Sequence, residues 1–208
     1  MSSPVAVDIF AEDSAHEAFL LPMLHRIARE ENIEVSARVR SARGGHGRAV
    51  AELRLYQDLV GEVAPDTTAP DLLIVGIDGN CLTFTKARQA IQAEIKRRFV
   101  DRMVMACPDP HVERWSLADP DSFKTVVGHR PTVGKKKCAR DHYKTLLAKA
   151  VQQAGHPPTL GGIEFASELV EGMDLYRAGK NDRSLKALLD DLRSGIRNLR
   201  PGRGGGLG

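Results

Sequence analysis

Acidic side chains close several of the apolar runs in this chain. Glu12 and Asp13 follow residues 5–10, Asp78-Gly79-Asn80 follows residues 71–77, and Glu113 stands shortly after Cys107-Pro108-Asp109-Pro110. Carboxylates drawn together from distant parts of a chain repel one another unless a cation sits among them. Hard divalent cations take oxygen ligands, typically one or two protein carboxylates completed by waters and substrate phosphates. Glu12 and Asp78 are donors of the right kind and number for such an ion. Acids at strand ends also serve as helix N-caps, a reading that suits Asp13 or Ser14. Asp78, directly after an apolar run and before a glycine, is harder to explain in that way.

Positioning such residues requires strands whose ends share one edge. Residues 5–10 are short, apolar and β-branched, and Phe19, Leu20, Met23, Leu24 and Ile27 then recur at helical spacing. Residues 33–39 alternate as a strand, and a glycine-rich loop, residues 41–47, opens a second helical pattern through Val50, Leu53, Leu55 and Leu59. Residues 71–77 read as a strand buried on both faces, followed by a helix over 86–98 and a strand over 102–106. Strands alternating with helices predict a mostly parallel α/β sheet with helices on both sides, and sites in such sheets form beyond the carboxyl ends of the strands. Beyond residue 110 the pattern predicts a short helix over 112–117, a basic loop over 120–137, and helices over 139–153 and 165–176. A last amphipathic helix, opened by Asn181 or Asp182, carries Leu185, Leu188, Leu189, Leu192 and Ile196 as a core or subunit-interface stripe, which allows a homo-oligomer. The expected organisation is an α/β domain over 1–120, a basic loop and helical extension over 121–200, and a flexible tail over 201–208.

With 208 residues, 42% apolar and 27% charged, the composition is that of a globular domain and disfavours wholesale disorder. No apolar run approaches the roughly 18 residues of a membrane span, and acids follow the first residues at once, so no membrane is expected and the chain is predicted to be cytoplasmic. Three cysteines without a CxxC spacing predict neither a disulfide framework nor a zinc ribbon. The net charge of +3 is unevenly spread, because residues 124–149 hold eight basic side chains and one acidic one. Lys135, Lys136, Lys137 and Arg140 in that stretch suit contact with a nucleic-acid backbone, an interaction that carries little sequence information and weakens with salt. Arg43 and Arg48 flank glycines that would let backbone N–H groups approach phosphate at a helix start.

The order of these blocks is similar to the TOPRIM domain of topoisomerases, primases and OLD-type nucleases. More narrowly, residues 7–20 (VDIFAEDSAHEAFL), 44–53 (GGHGRAVAEL), 72–80 (LLIVGIDGN) and 110–119 (PHVERWSLAD) resemble the small RloB and AbiLii type of TOPRIM protein. The resemblance spans roughly residues 5–120, and Glu113 with Trp115, the single tryptophan, is its most telling part. Carried over, Glu12 corresponds to the family glutamate, Asp78 to the first aspartate of Asp-x-Asp, and Glu113 to the glutamate before the tryptophan, giving a catalytic set of Glu12, Asp78 and Glu113. Asn80 stands where a second aspartate is usual and keeps an amide oxygen for the metal. His16 and Glu17 occupy the region where OLD-like members carry a second acid. The resemblance implies a Mg2+- or Mn2+-dependent nuclease, with His111 or His46 available to protonate a leaving oxygen. It also implies an antiphage effector partnered by an ABC- or SMC-like ATPase, since the chain has no Walker motif of its own. The alternatives are a non-catalytic TOPRIM-like interaction subunit of such a complex and, more remotely, a receiver-like phosphoacceptor at Asp78.

Overall fold

A computed structural model describes residues 3–42, 44–62, 69–134, 136, 138–139 and 141–199. Among them the strands β1 (Val5–Ala11), β2 (Val35–Ser41), β3 (Leu72–Gly76) and β4 (Met103–Ala106) form one sheet in the order β2-β1-β3-β4. Every neighbouring pair is parallel, and the register aligns Ala11 with Ser41 and Gly76, and Gly76 with Ala106. The carboxyl ends of all the strands therefore meet along one rim.

Period-two alternation sends the strand residues to two cores. Val7, Ile9, Leu72, Ile74 and Val104 point to one face, where α1 (Ser14–Glu30) and α9 (Arg183–Asn198) cover them together with α4 (Glu113–Ser116), α7 (Ala166–Gly172) and α8 (Leu175–Asn181). Phe10, Leu73, Val75 and Met105 point to the other, beneath α2 (His46–Glu62) and α3 (Phe84–Ala93). Coverage on both sides explains why β3 is apolar at every position. A smaller core holds the extension together, with Leu117, Phe123 and Val127 packed against Tyr143, Leu147 and Val151.

The α9 stripe is core: Leu185, Leu188, Leu189, Leu192 and Ile196 are at most 3% exposed. Trp115 is likewise a packing anchor, fully buried beside Phe19 at 5.4 Å, with its indole N–H donated to Ser184 Oγ at 2.8 Å.

Several expectations are corrected. The stretch 120–137 is not all loop: Pro120–Val127 is a helix, α5, with Asp119 as N-cap, Pro120 in its first turn and left-handed Gly128 at its end. The helix expected over 86–98 stops at Ala93, and a 3-10 segment, Arg97–Arg102, replaces its end. The helix expected over 165–176 is broken at Met173, after which Asp174 caps a new start, α8. α6 begins at His142 and runs to Gln153. Cys81 and Cys138 are joined as a disulfide, their Cα atoms 4.8 Å apart, whereas a spacing of 57 residues gave no hint of a pair. The tail 201–208 lies outside the described residues. Among those described, no helix is long and apolar enough to cross a membrane.

Candidate metal centre

The rim is shaped by two glycines. Gly76 ends β3 where a Cβ would stand 2.6 Å from Leu20 Cδ1 and 3.2 Å from His16 Cδ2, so glycine lets α1 lay Leu20 and His16 close against the sheet. Gly79 lies where a Cβ would come within 2.6 Å of the Pro108 carbonyl oxygen. That close approach lets the Gly79 and Asn80 N–H groups donate to the Pro108 and Pro110 carbonyls, stitching the turn after β3 to the loop after β4. Asp78 is thereby set against His111 and Val112.

Three side chains converge at this point. Glu12, His16 and Asp78 each offer one ligand atom, and these atoms all lie within 4.8 Å of one another. Two ligands held about 2.1 Å from one ion sit about 3 Å apart when adjacent and about 4 Å apart when opposed, so a small inward movement closes the set. Glu12, 8% exposed, accepts the Asp78 backbone N–H through Oε2 at 2.8 Å. Asp78 accepts the Val112 N–H at 3.1 Å and meets His111 Nδ1 at 2.9 Å. His16 is fully buried. Its Nδ1 lies 2.8 Å from Asp13 Oδ1, an atom that also accepts the N–H groups of Ala15 and His16 as the cap of α1. Its Nε2 lies 3.2 Å from Asp78 Oδ1, an ion-pair contact poorly aligned for a hydrogen bond. The ring is thus held between two aspartates, Asp13 on one nitrogen and Asp78 on the other.

The electrostatics follow the burial. Burial raises the Glu12 carboxyl above its ordinary value, against the donated Asp78 N–H. Burial acts the same way on Asp78, but the charges and hydrogen bonds of His16 and His111 outweigh it and hold that carboxyl down at about 2. For His16, burial disfavours the imidazolium while Asp78 and Asp13 favour it more strongly, raising its pKa to about 10. Glu113 is raised, first by burial and then by the neighbouring charges of Asp78 and Asp13. His111 is raised chiefly by its bond to Asp78. At the outer edge, His46 Nδ1 lies 3.9 Å from Glu12 Oε2.

The structure thus brings Glu12 and Asp78 together as the sequence suggested, with Glu113 within electrostatic reach. Asn80 stands in the same turn with a left-handed backbone, its amide nitrogen donating to the Asp78 carbonyl at 3.2 Å. Sequence reasoning missed His16 as a donor, because a histidine at the third position of a capped helix looks like a capping residue. Its relation to Asp78 depends on Gly76, which no local pattern connects to it. Of the residues expected to meet nucleic acid, Arg48 is exposed and paired with Glu52 at 2.7 Å, and Lys136 is exposed with its backbone N–H on the Tyr143 hydroxyl. Arg43, Lys135, Lys137 and Arg140 lie outside the described residues. The Cys81–Cys138 bond fastens Cys138 to the turn that follows Asp78.

Compared with protein-family models, curated proteins and solved structures, the chain matches none.

Proposed function

We propose that this chain is a divalent-metal-dependent nuclease that hydrolyses phosphodiester bonds in DNA or RNA. The observation that supports it most is the convergence of Glu12, fully buried His16 and Asp78, whose ligand atoms lie within a common 4.8 Å, an arrangement in which His16 can ligate once its ring gives up a proton. Two carboxylates and an imidazole suit Mn2+ as well as Mg2+, since nitrogen donors favour the transition ion. When bound, such a cation polarises a phosphoryl oxygen and offsets negative charge in the transition state.

The chain's own residues supply the rest. Asp13 holds the His16 ring in place, in the manner by which carboxylates orient ligating histidines. Glu113, lifted by burial, keeps a carboxyl able to exchange a proton nearer neutrality than an exposed glutamate does. His111, held by Asp78, carries a proton that can be delivered to a leaving oxygen. The basic segment tied to the rim through Cys138 offers a polyanion its first contacts. The family resemblance extends the proposal to an antiphage effector working beside an ABC- or SMC-like ATPase.

One observation favours a second reading, a non-catalytic subunit of such a complex. The His16 imidazolium is itself a cation placed to balance Glu12 and Asp78. The two readings separate in one experiment, in which wild type, Glu12→Ala and Asp78→Ala are incubated with DNA and RNA in Mg2+ or Mn2+, with calorimetry of metal binding alongside. The nuclease reading expects cleavage and a binding heat in wild type that both variants lose. Equal cutting by all three proteins refutes it, and an absence of binding heat in wild type selects the subunit.

A further inference from the structure

A second concavity adjoins the metal centre. Val50 and Leu53 of α2, Ile77 beyond β3, and Ala87 and Ile91 of α3 wall a cavity of about 310 Å3. His46 and Asp78, both at the metal centre, line it too. Leu82, in the turn that carries Asp78, also lines it and is 43% exposed, an aliphatic side chain left facing solvent. Glu94, the one carboxylate of the lining apart from Asp78, is bonded to Arg54.

The chemistry of these walls restricts what can enter. A phosphate or sugar chain gains nothing from aliphatic walls, and the lining holds no lysine or arginine to draw an anion in. A flat group with apolar faces and N–H donors on its edge gains on both counts. The volume lies at the lower end of the range for small-molecule sites, enough for one such group and far too little for a duplex. Because His46 and Asp78 belong to cavity and metal centre alike, the occupant is the neighbour of the scissile phosphate in the same substrate. A nucleobase meets every condition, but only one drawn out of the stack, since enzymes read an extruded base between apolar side chains and by hydrogen bonds to its edge.

We infer that the substrate is nucleic acid presenting an unpaired base, which seats between α2 and α3 while the adjoining phosphate meets Glu12, His16 and Asp78. This rests on the nuclease reading above and adds the substrate class to it.

The test compares cleavage of a labelled oligonucleotide, as DNA and as RNA, alone and annealed to its complement, by wild type and Ala90→Phe in Mn2+. Ala90 is exposed at the cavity lip, so phenylalanine there fills the opening without touching the metal ligands. Wild type is expected to cut the single strand at least about tenfold faster than the duplex, and Ala90→Phe to lose about tenfold on the single strand while binding Mn2+ as wild type does. Equal cutting of both forms by wild type overturns the inference and leaves the nuclease reading standing. Full single-strand activity in a Mn2+-binding Ala90→Phe also overturns it. If wild type cuts neither form, the nuclease reading falls and this inference falls with it. The wild-type comparison needs no variant, so a misfolded Ala90→Phe does not shield the claim.

Discussion

Two polar clusters in this molecule are each centred on a little-exposed aspartate and differ in how tightly they are bonded. Around Asp119, 2% exposed, the carboxylate accepts Arg177 Nε at 2.6 Å and Nη2 at 3.0 Å, the Asp174 N–H at 2.9 Å and the Ser122 N–H at 3.4 Å. That network joins the starts of α5 and α8, and both oxygens of the Asp119 carboxylate accept hydrogen bonds. Around Asp78 the bonding is looser, because His16 Nε2 meets Asp78 Oδ1 at 3.2 Å in poor hydrogen-bond alignment. A tightly bonded network holds helices together, whereas a loosely bonded one can exchange a contact for a ligand at smaller cost.

The largest effect expected from this contrast is the response to metal. At a hundredfold excess over its Kd, Mn2+ stabilises a binding protein by about 2.7 kcal/mol. For a chain of this size that is a rise in Tm of about 5–10 °C. Differential scanning fluorimetry should show it in wild type and in Asp119→Ala, and not in Asp78→Ala. A rise that survives in Asp78→Ala breaks the contrast.

Next in size, Asp119→Ala removes the cap of α5 and an acceptor for Arg177, at a cost of about 2 kcal/mol in chemical denaturation at neutral pH. Burial works against ionisation at Asp119, but the Arg177, Ser122 and Asp174 hydrogen bonds outweigh it and hold the folded carboxyl well below its ordinary 3.8. Because the folded value is the lower one, this contribution is complete above the unfolded value and drains away as pH falls through it toward the folded one. Denaturation midpoints should therefore separate wild type from Asp119→Ala at pH 6 and converge as the pH is taken progressively below 3.8.

The smallest effect sharpens the comparison from within the metal centre. Asp13→Asn keeps a good N-cap for α1 but weakens the hold on the His16 ring. Calorimetry should show Mn2+ affinity reduced about tenfold, with stability little changed. An unchanged affinity would remove Asp13 from the site and leave it a cap alone.

Much of this arrangement is legible in the sequence because it is written locally. The apolar runs that end at Glu12 and Asp78, and the leucine stripe of α9, each carry their period within a dozen residues. α5 is written locally as well, in Asp119-Pro120 at its start and Gly128 at its end, although the basic residues just downstream give the stretch the look of a charged loop. What the sequence withheld depends on contacts between elements. His16 joins Glu12 and Asp78 only when α1 packs closely on the end of β3, Cys81 finds Cys138 only in the folded chain, and the aliphatic cavity needs α2 and α3 side by side. The break at Met173 is of the same kind, because Asp174 caps α8 with its own N–H held by Asp119.

The strand order carries a consequence for a protein as it is being made. β1 sits between β2 and β3, and the Asp78 N–H that orients Glu12 belongs to a strand end 66 residues later in the chain. A nascent polypeptide that has emerged only as far as β2 holds Glu12 and His16 but no third donor to close the set. The group that could hold an ion is therefore complete only once β3 has left the ribosome and docked.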